Sequence, residues 1–194
     1  MLQYLQTTSA IPTNPIRWSA RAITLSLLSL SILLSVSLGF TATRPTNAAP
    51  IESNTESQLV EAINTQRIEN DLAPLTWNAD LYAAATAKAS NMLQQQYFDH
   101  IAPDGTTPWS FIRKNYSYES AGENLAIDFR NPIDAVPAWM DSPTHRANIL
   151  DPKFSDTGIV IVEGTLRGKQ TTIIVQMFGE PSNNSLNLTA LNLK

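Results

Sequence analysis

The sequence predicts an α+β fold with segregated layers, and three observations carry that prediction. Apolar residues recur at helical spacing through the first part of the segment after residue 50. Two runs rich in β-branched residues, "DTGIVIVEG" and "TTIIVQMFG", close it as an antiparallel pair around the turn-like "TLRGK". Helices followed by strands, without βαβ alternation, place helical layers against an antiparallel sheet. The chain has no cysteine, so this domain stands on its apolar core without disulfides.

The elements follow in order. "TESQLVEAINTQRIENDL" carries Leu59, Ile63 and Ile68 on one helical stripe, with Thr55 as its expected N-cap and "IESNTES" before it as a polar linker. "APLTW" breaks this helix. "NADLYAAATAKASNMLQQQYF" is alanine-rich, strongly helical by propensity, and capped by Asn78. "PDGT" is a turn. Thr107–Pro108 and Asn131–Pro132 each open a short helix, since proline suits the first helical position. Pro137 is expected to kink the second of these. Ser142–Pro143 starts another, which ends before Pro152, and Ser142 is expected to cap it. Trp77, Trp109 and Trp139 read as core aromatics.

The front of the chain is of another kind. Residues 1–49 combine Arg17 and Arg21, an apolar run over 23–40, and small residues ending at Ala48–Ala49. This is the build of a secretory signal or, uncleaved, of an N-terminal membrane anchor, and it implies an extracytoplasmic location, secreted or held at the envelope. Residues 50–57 read as linker, 58–179 as the compact domain and 180–194 as a polar tail. Beyond the leader, ten of the 13 basic residues remain against all 17 acidic ones, about −7. An acidic domain with no basic run is not built for nucleic acid, and membrane contact is expected only through the N-terminal segment.

The chain has only two histidines, His100 and His145. With Glu123 they form a trio of polar groups expected at or just beyond element ends. Two neutral imidazoles and a carboxylate can bind Zn²⁺ or a similar divalent ion with positions left for water. The same trio without metal can activate water as a general base, giving His100, Glu123 and His145 catalytic roles. The competing reading makes both histidines hydrogen-bonded structural residues. Asn124 is expected to pin the loop holding Glu123. Asp141, Gln176 and Arg146 are weaker candidates for the same cleft.

Several motifs in order carry a family resemblance: F-x-H at Phe98–His100, G-E-N at Gly122–Asn124, A-W-M at Ala138–Met140 and S-P-x-H-R at Ser142–Arg146. They resemble the CAP superfamily of cysteine-rich secretory, antigen 5 and pathogenesis-related proteins, in its cysteine-free, bacterial SCP-like extracellular branch. The resemblance covers about residues 58–179. It implies an α-β-α sandwich with a central antiparallel sheet between helical layers, and a cleft in which His100, Glu123 and His145 meet, with metal proposed there. Many members carry a further glutamate three residues after the tryptophan; here that position is Ser142. The function implied is binding of a lipid, envelope component or protein. Metal-assisted or general-base hydrolysis of a peptide or envelope polymer is the alternative, and an anchored surface domain with an unused cleft the third.

Overall fold

The computed structural model describes residues 4–9, as backbone, and 54–182. The chain divides into one unit of Met1–Pro12 with Glu52–Lys194 and another of Thr13–Ile51, which lies outside the described residues. The leader's apolar run and the polar tail beyond residue 182 therefore also lie outside them. Among the described residues, no helix is long and apolar enough to cross a membrane.

The elements run β1 (Tyr4–Ser9), α1 (Asn54–Glu69), β2 (Thr76–Trp77), α2 (Ala79–Gln95), α3 (Pro108–Ile112), β3 (Tyr118–Ile127), a 3₁₀ turn (Pro132–Asp134), α4 (Ala135–Asp141), α5 (Pro143–Ile149), β4 (Asp156–Leu166) and β5 (Lys169–Pro181). The sheet order is β1-β3-β5-β4-β2. Its body, β3-β5-β4, is antiparallel, as expected; the short β2 adds a parallel edge beside β4, so the whole sheet is mixed. β1 pairs antiparallel with the outer edge of β3. Arg167 and Gly168, both at positive φ, form the two-residue turn between β4 and β5, whose backbone twist matches that of the strands.

Helices cover both faces. On one, Leu81, Ala85 and Met92 of α2 and Phe111 and Ile112 of α3 pack on Leu125, Val175 and Met177. On the other, Leu59 and Ile63 of α1, Trp139 of α4 and Ile149 of α5 pack on Ile159, Ile174 and Phe178. This is the three-layer sandwich that the resemblance implies. Trp139 is fully buried, with its indole N–H donating to the Leu125 carbonyl at 3.2 Å. Trp77 and Trp109 are only partly buried against the two cores.

Three devices lock the layers. Asn78 caps α2 as expected, its side chain accepting from the amides of Asp80 and Leu81. Gly158 lets α2 lie directly on β4, because a Cβ there would stand 2.1 Å from the Tyr82 amide nitrogen. Arg67 is 1% exposed and sends its guanidinium to the carbonyls of Ala73, Ile149, Asp151 and Phe154 at 2.7–3.0 Å. It thereby ties α1 to the connection between α5 and β4.

Some local expectations are corrected. α1 begins at Asn54, inside the expected linker, so Thr55 is helical and not its cap. The buried Glu56 carboxylate accepts from the Ile161 amide, which draws that turn onto the sheet. Pro137 is the third residue of α4, in the first turn, where a missing N–H removes no helical hydrogen bond. No kink is required of it there.

Candidate functional site

His100 leaves the end of α2 through Gln96, which adopts a left-handed conformation (φ 58°) and turns the chain. The loop returns the imidazole to the sheet, where Nδ1 of His100 lies 2.6 Å from Oε2 of Glu123. Both residues are buried, His100 at 9% exposure and Glu123 at 0%. One proton occupies this short contact. Burial pushes the Glu123 carboxyl above the usual carboxylate range, against the pull of the His100 hydrogen bond and of the Lys88 ammonium. Among the described residues, Nε2 of His100 and Oε1 of Glu123 have no hydrogen-bond partner.

Glu123 does not stand at an element end. It sits in the middle of β3, opposite Met177 of β5, between Ala121 and Leu125, which belong to the core beneath α2. Strand alternation then turns Asn124 to the opposite face. There its side-chain amide donates to the His145 carbonyl at 3.3 Å and its oxygen accepts from Asn148 at 2.9 Å. Asn148 also donates to the Glu123 carbonyl. The two asparagines thus fasten α5 to β3, so Asn124 anchors a helix to a strand and not a loop.

His145 is 2% exposed and lies in the first turn of α5, as its sequence predicts. Its Nδ1 is 2.6 Å from Oγ of Ser142. Ser142 holds the N-cap position but makes no side-chain capping bond; its hydroxyl meets the histidine instead. Gln176 is fully buried, donates to the Thr157 hydroxyl at 3.2 Å, and leaves Oε1 without a hydrogen-bond partner among the described residues.

The structure therefore joins His100 to Glu123 directly and ties the backbone carbonyl of His145 to β3 through Asn124. Among the described residues, no three His, Cys, Asp or Glu side chains are grouped to hold a metal ion. Nε2 of His100 and Oε1 of Glu123 are chemically suited to a divalent ion, for which a catalytic zinc takes three protein ligands.

Asp141 and Arg146 belong to a different feature. They stand, exposed, at a groove of about 590 Å³ whose apolar wall is Ala62 of α1, Ile133 of the 3₁₀ turn, and Val136, Pro137 and Met140 of α4. None of His100, Glu123 and His145 lines it. Asp141 and Arg146 form no ion pair with each other. Residue spacing offers no warning of this groove, because its wall is drawn from elements some 70 residues apart.

The same motifs appear in known proteins. The model of the CAP family, described as the cysteine-rich secretory protein family, matches residues 60–178. The chain belongs to this family. The uncharacterized protein YkwD of Bacillus subtilis is 38% identical over 123 residues, covering 62% of this chain and 48% of that protein. The CAP chain thus spans about half the length of that relative. Among solved structures, an outer surface protein of Borrelia burgdorferi aligns with a TM-score of 0.58 at 22% identity, covering 68% of this chain and 96% of that one. An extracellular SCP-domain protein of Bacillus anthracis aligns with a TM-score of 0.56 at 24% identity, covering 65% and 40%. At these identities the two structures establish a shared CAP fold.

Proposed function

We propose that this CAP domain is an exported binding module for an amphiphile, a lipid or lipid-like envelope component, held in the groove between α1 and α4. The groove carries the reading. Its volume, about 590 Å³, falls within the range of small-molecule sites, about 300–1,000 Å³. An apolar wall with charged Asp141 and Arg146 beside it suits a ligand with an apolar body and a polar head. Arg146, free of any ion pair among the described residues, is the donor for an anionic head. Export is supported by the leader-like residues 1–49 and by the surface and extracellular descriptions of the two structural relatives.

Titration with a fluorescent sixteen-carbon fatty acid tests this. Saturable binding is expected, weakened about tenfold or more when Ala62→Phe fills the groove. Arg146→Glu is expected to weaken the acid but spare the corresponding alcohol. Absence of saturable binding, or indifference to Ala62→Phe in a folded variant, overturns the proposal.

A second reading has its own observation. The buried His100–Glu123 contact resembles the base–orienter half of a hydrolytic site, with Nε2 of His100 as the outer nitrogen. A panel of peptides and envelope glycans would then show turnover abolished in Glu123→Gln. No turnover by the wild type, with or without added Zn²⁺, removes this reading.

A further inference from the structure

Lys88 lies in the middle of α2 and is fully buried, yet the sequence sets it in a run of alanines as one more residue on a packed helical face. A buried ammonium is costly unless its three N–H groups are satisfied. Here each finds an oxygen: the Tyr97 hydroxyl at 3.1 Å, the Asp99 carbonyl at 2.8 Å and the His100 carbonyl at 2.6 Å. The Tyr97 hydroxyl passes its own proton to Asn91 at 2.6 Å, and the Tyr97 ring centroid lies 4.9 Å from the ammonium. No carboxylate contacts Lys88 among the described residues. Glu123 is its strongest charged neighbour and acts on it through space. His100 therefore stands between a buried cation on its carbonyl and a buried carboxyl on its ring.

We propose that Lys88 is a positioning residue of the His100–Glu123 pair: its ammonium grips the carbonyls of Asp99 and His100 and so fixes where the imidazole meets Glu123. Asp99 is exposed, and the chain from Gln96 to the Ala102–Thr106 turn is irregular, so helix and sheet hydrogen bonding do not anchor it. The ammonium supplies that anchor from within α2. Charge-assisted hydrogen bonds are the strong kind, which suits a short loop that must hold a ring to a fraction of an ångström. The role is independent of what occupies the α1–α4 groove, and it holds whether or not the pair turns over a substrate.

The chain's two histidines make the test selective, because His145 serves as an internal reference. In the full chain, the rate of imidazole acylation by diethylpyrocarbonate is followed at each histidine by peptide mass analysis. Lys88→Met keeps the length and apolar stem but removes the grip. The expected result is His100 reacting about tenfold faster or more, with His145 within about twofold of wild type. Parallel acceleration of both rings, or no change at His100, overturns the proposal. Tyr97→Phe leaves both carbonyl bonds in place and is expected to leave His100 near its wild-type rate; an acceleration equal to that of Lys88→Met also overturns it. Should Lys88→Met fail to fold, the wild-type protein still decides. Scalar couplings across hydrogen bonds from Lys88 Nζ to the carbonyl carbons of residues 99 and 100 are expected, and a freely exchanging ammonium without them is the contrary result.

Discussion

At Glu123, two opposing forces act on one carboxyl group. Withdrawal from water favours its protonated form, while the His100 hydrogen bond and the Lys88 charge favour the ionised one; the first is the larger. Its folded-state value therefore lies above the unfolded value near 4.5, and the folded protein holds this proton more tightly than the unfolded chain does. The corresponding stability is fully present below about pH 4.5 and is lost as pH rises through the raised value. Glu123→Gln removes that dependence. The urea midpoint of the wild type is thus expected to improve relative to Glu123→Gln as pH is lowered from about 8 to about 4.5. A constant difference between the two proteins across that range would refute the assignment. The sequence made His100, Glu123 and His145 visible because histidines are scarce in it. It hid Lys88, because a lysine among alanines reads as helix former, and hydrogen bonds to carbonyls leave no signature in residue order.

Among the elements, β3 was the hardest to read. "YESAGENLAI" is poor in β-branched residues and holds Gly, Glu and Asn, which strands usually avoid. Its place is fixed by pairing with β5 along its length and by burial on both faces, both tertiary effects. α2, β4 and β5 were legible because propensity, capping and turn chemistry agree in each. The packing of α2 on β4 depends on Gly158, a position unremarkable in "DTGIVIV". Gly158→Ala is expected to cost about 3 kcal/mol, since the new methyl meets helix backbone that cannot rotate away. Calorimetry or urea unfolding checks this, and a loss below about 0.5 kcal/mol would mean that α2 can shift without penalty.

For the whole molecule, segregated helical and sheet layers were predictable from element order and the three-layer sandwich from the family resemblance, whereas the long-range clamps were not. Arg67 reaches carbonyls more than 80 residues away, and its position near the C-terminus of α1 gives it an ordinary local reading as a helix-end cation. Arg67→Met is expected to destabilise the domain by at least about 3 kcal/mol by stranding buried carbonyls. The loss should be global, moving the unfolding of both sheet faces together. Melting of α1 alone, with the α2 face retained, would show that the two layers are not coupled through this residue.

The pleat of β3 has one more consequence. Glu123 and Asn124 are chain neighbours that serve separate chambers, an acid for the imidazole under α2 and an amide for the carbonyl of α5. Adding a single residue just before Gly122, with β5 held still, would move Glu123 into the place of Asn124 and Gly122 into the place of Glu123: a carboxylate would confront the α5 peptide oxygen, and His100 would meet no side chain. The order of the letters in G-E-N is therefore set by strand parity, and a composition-preserving swap to G-N-E should disable both chambers at once.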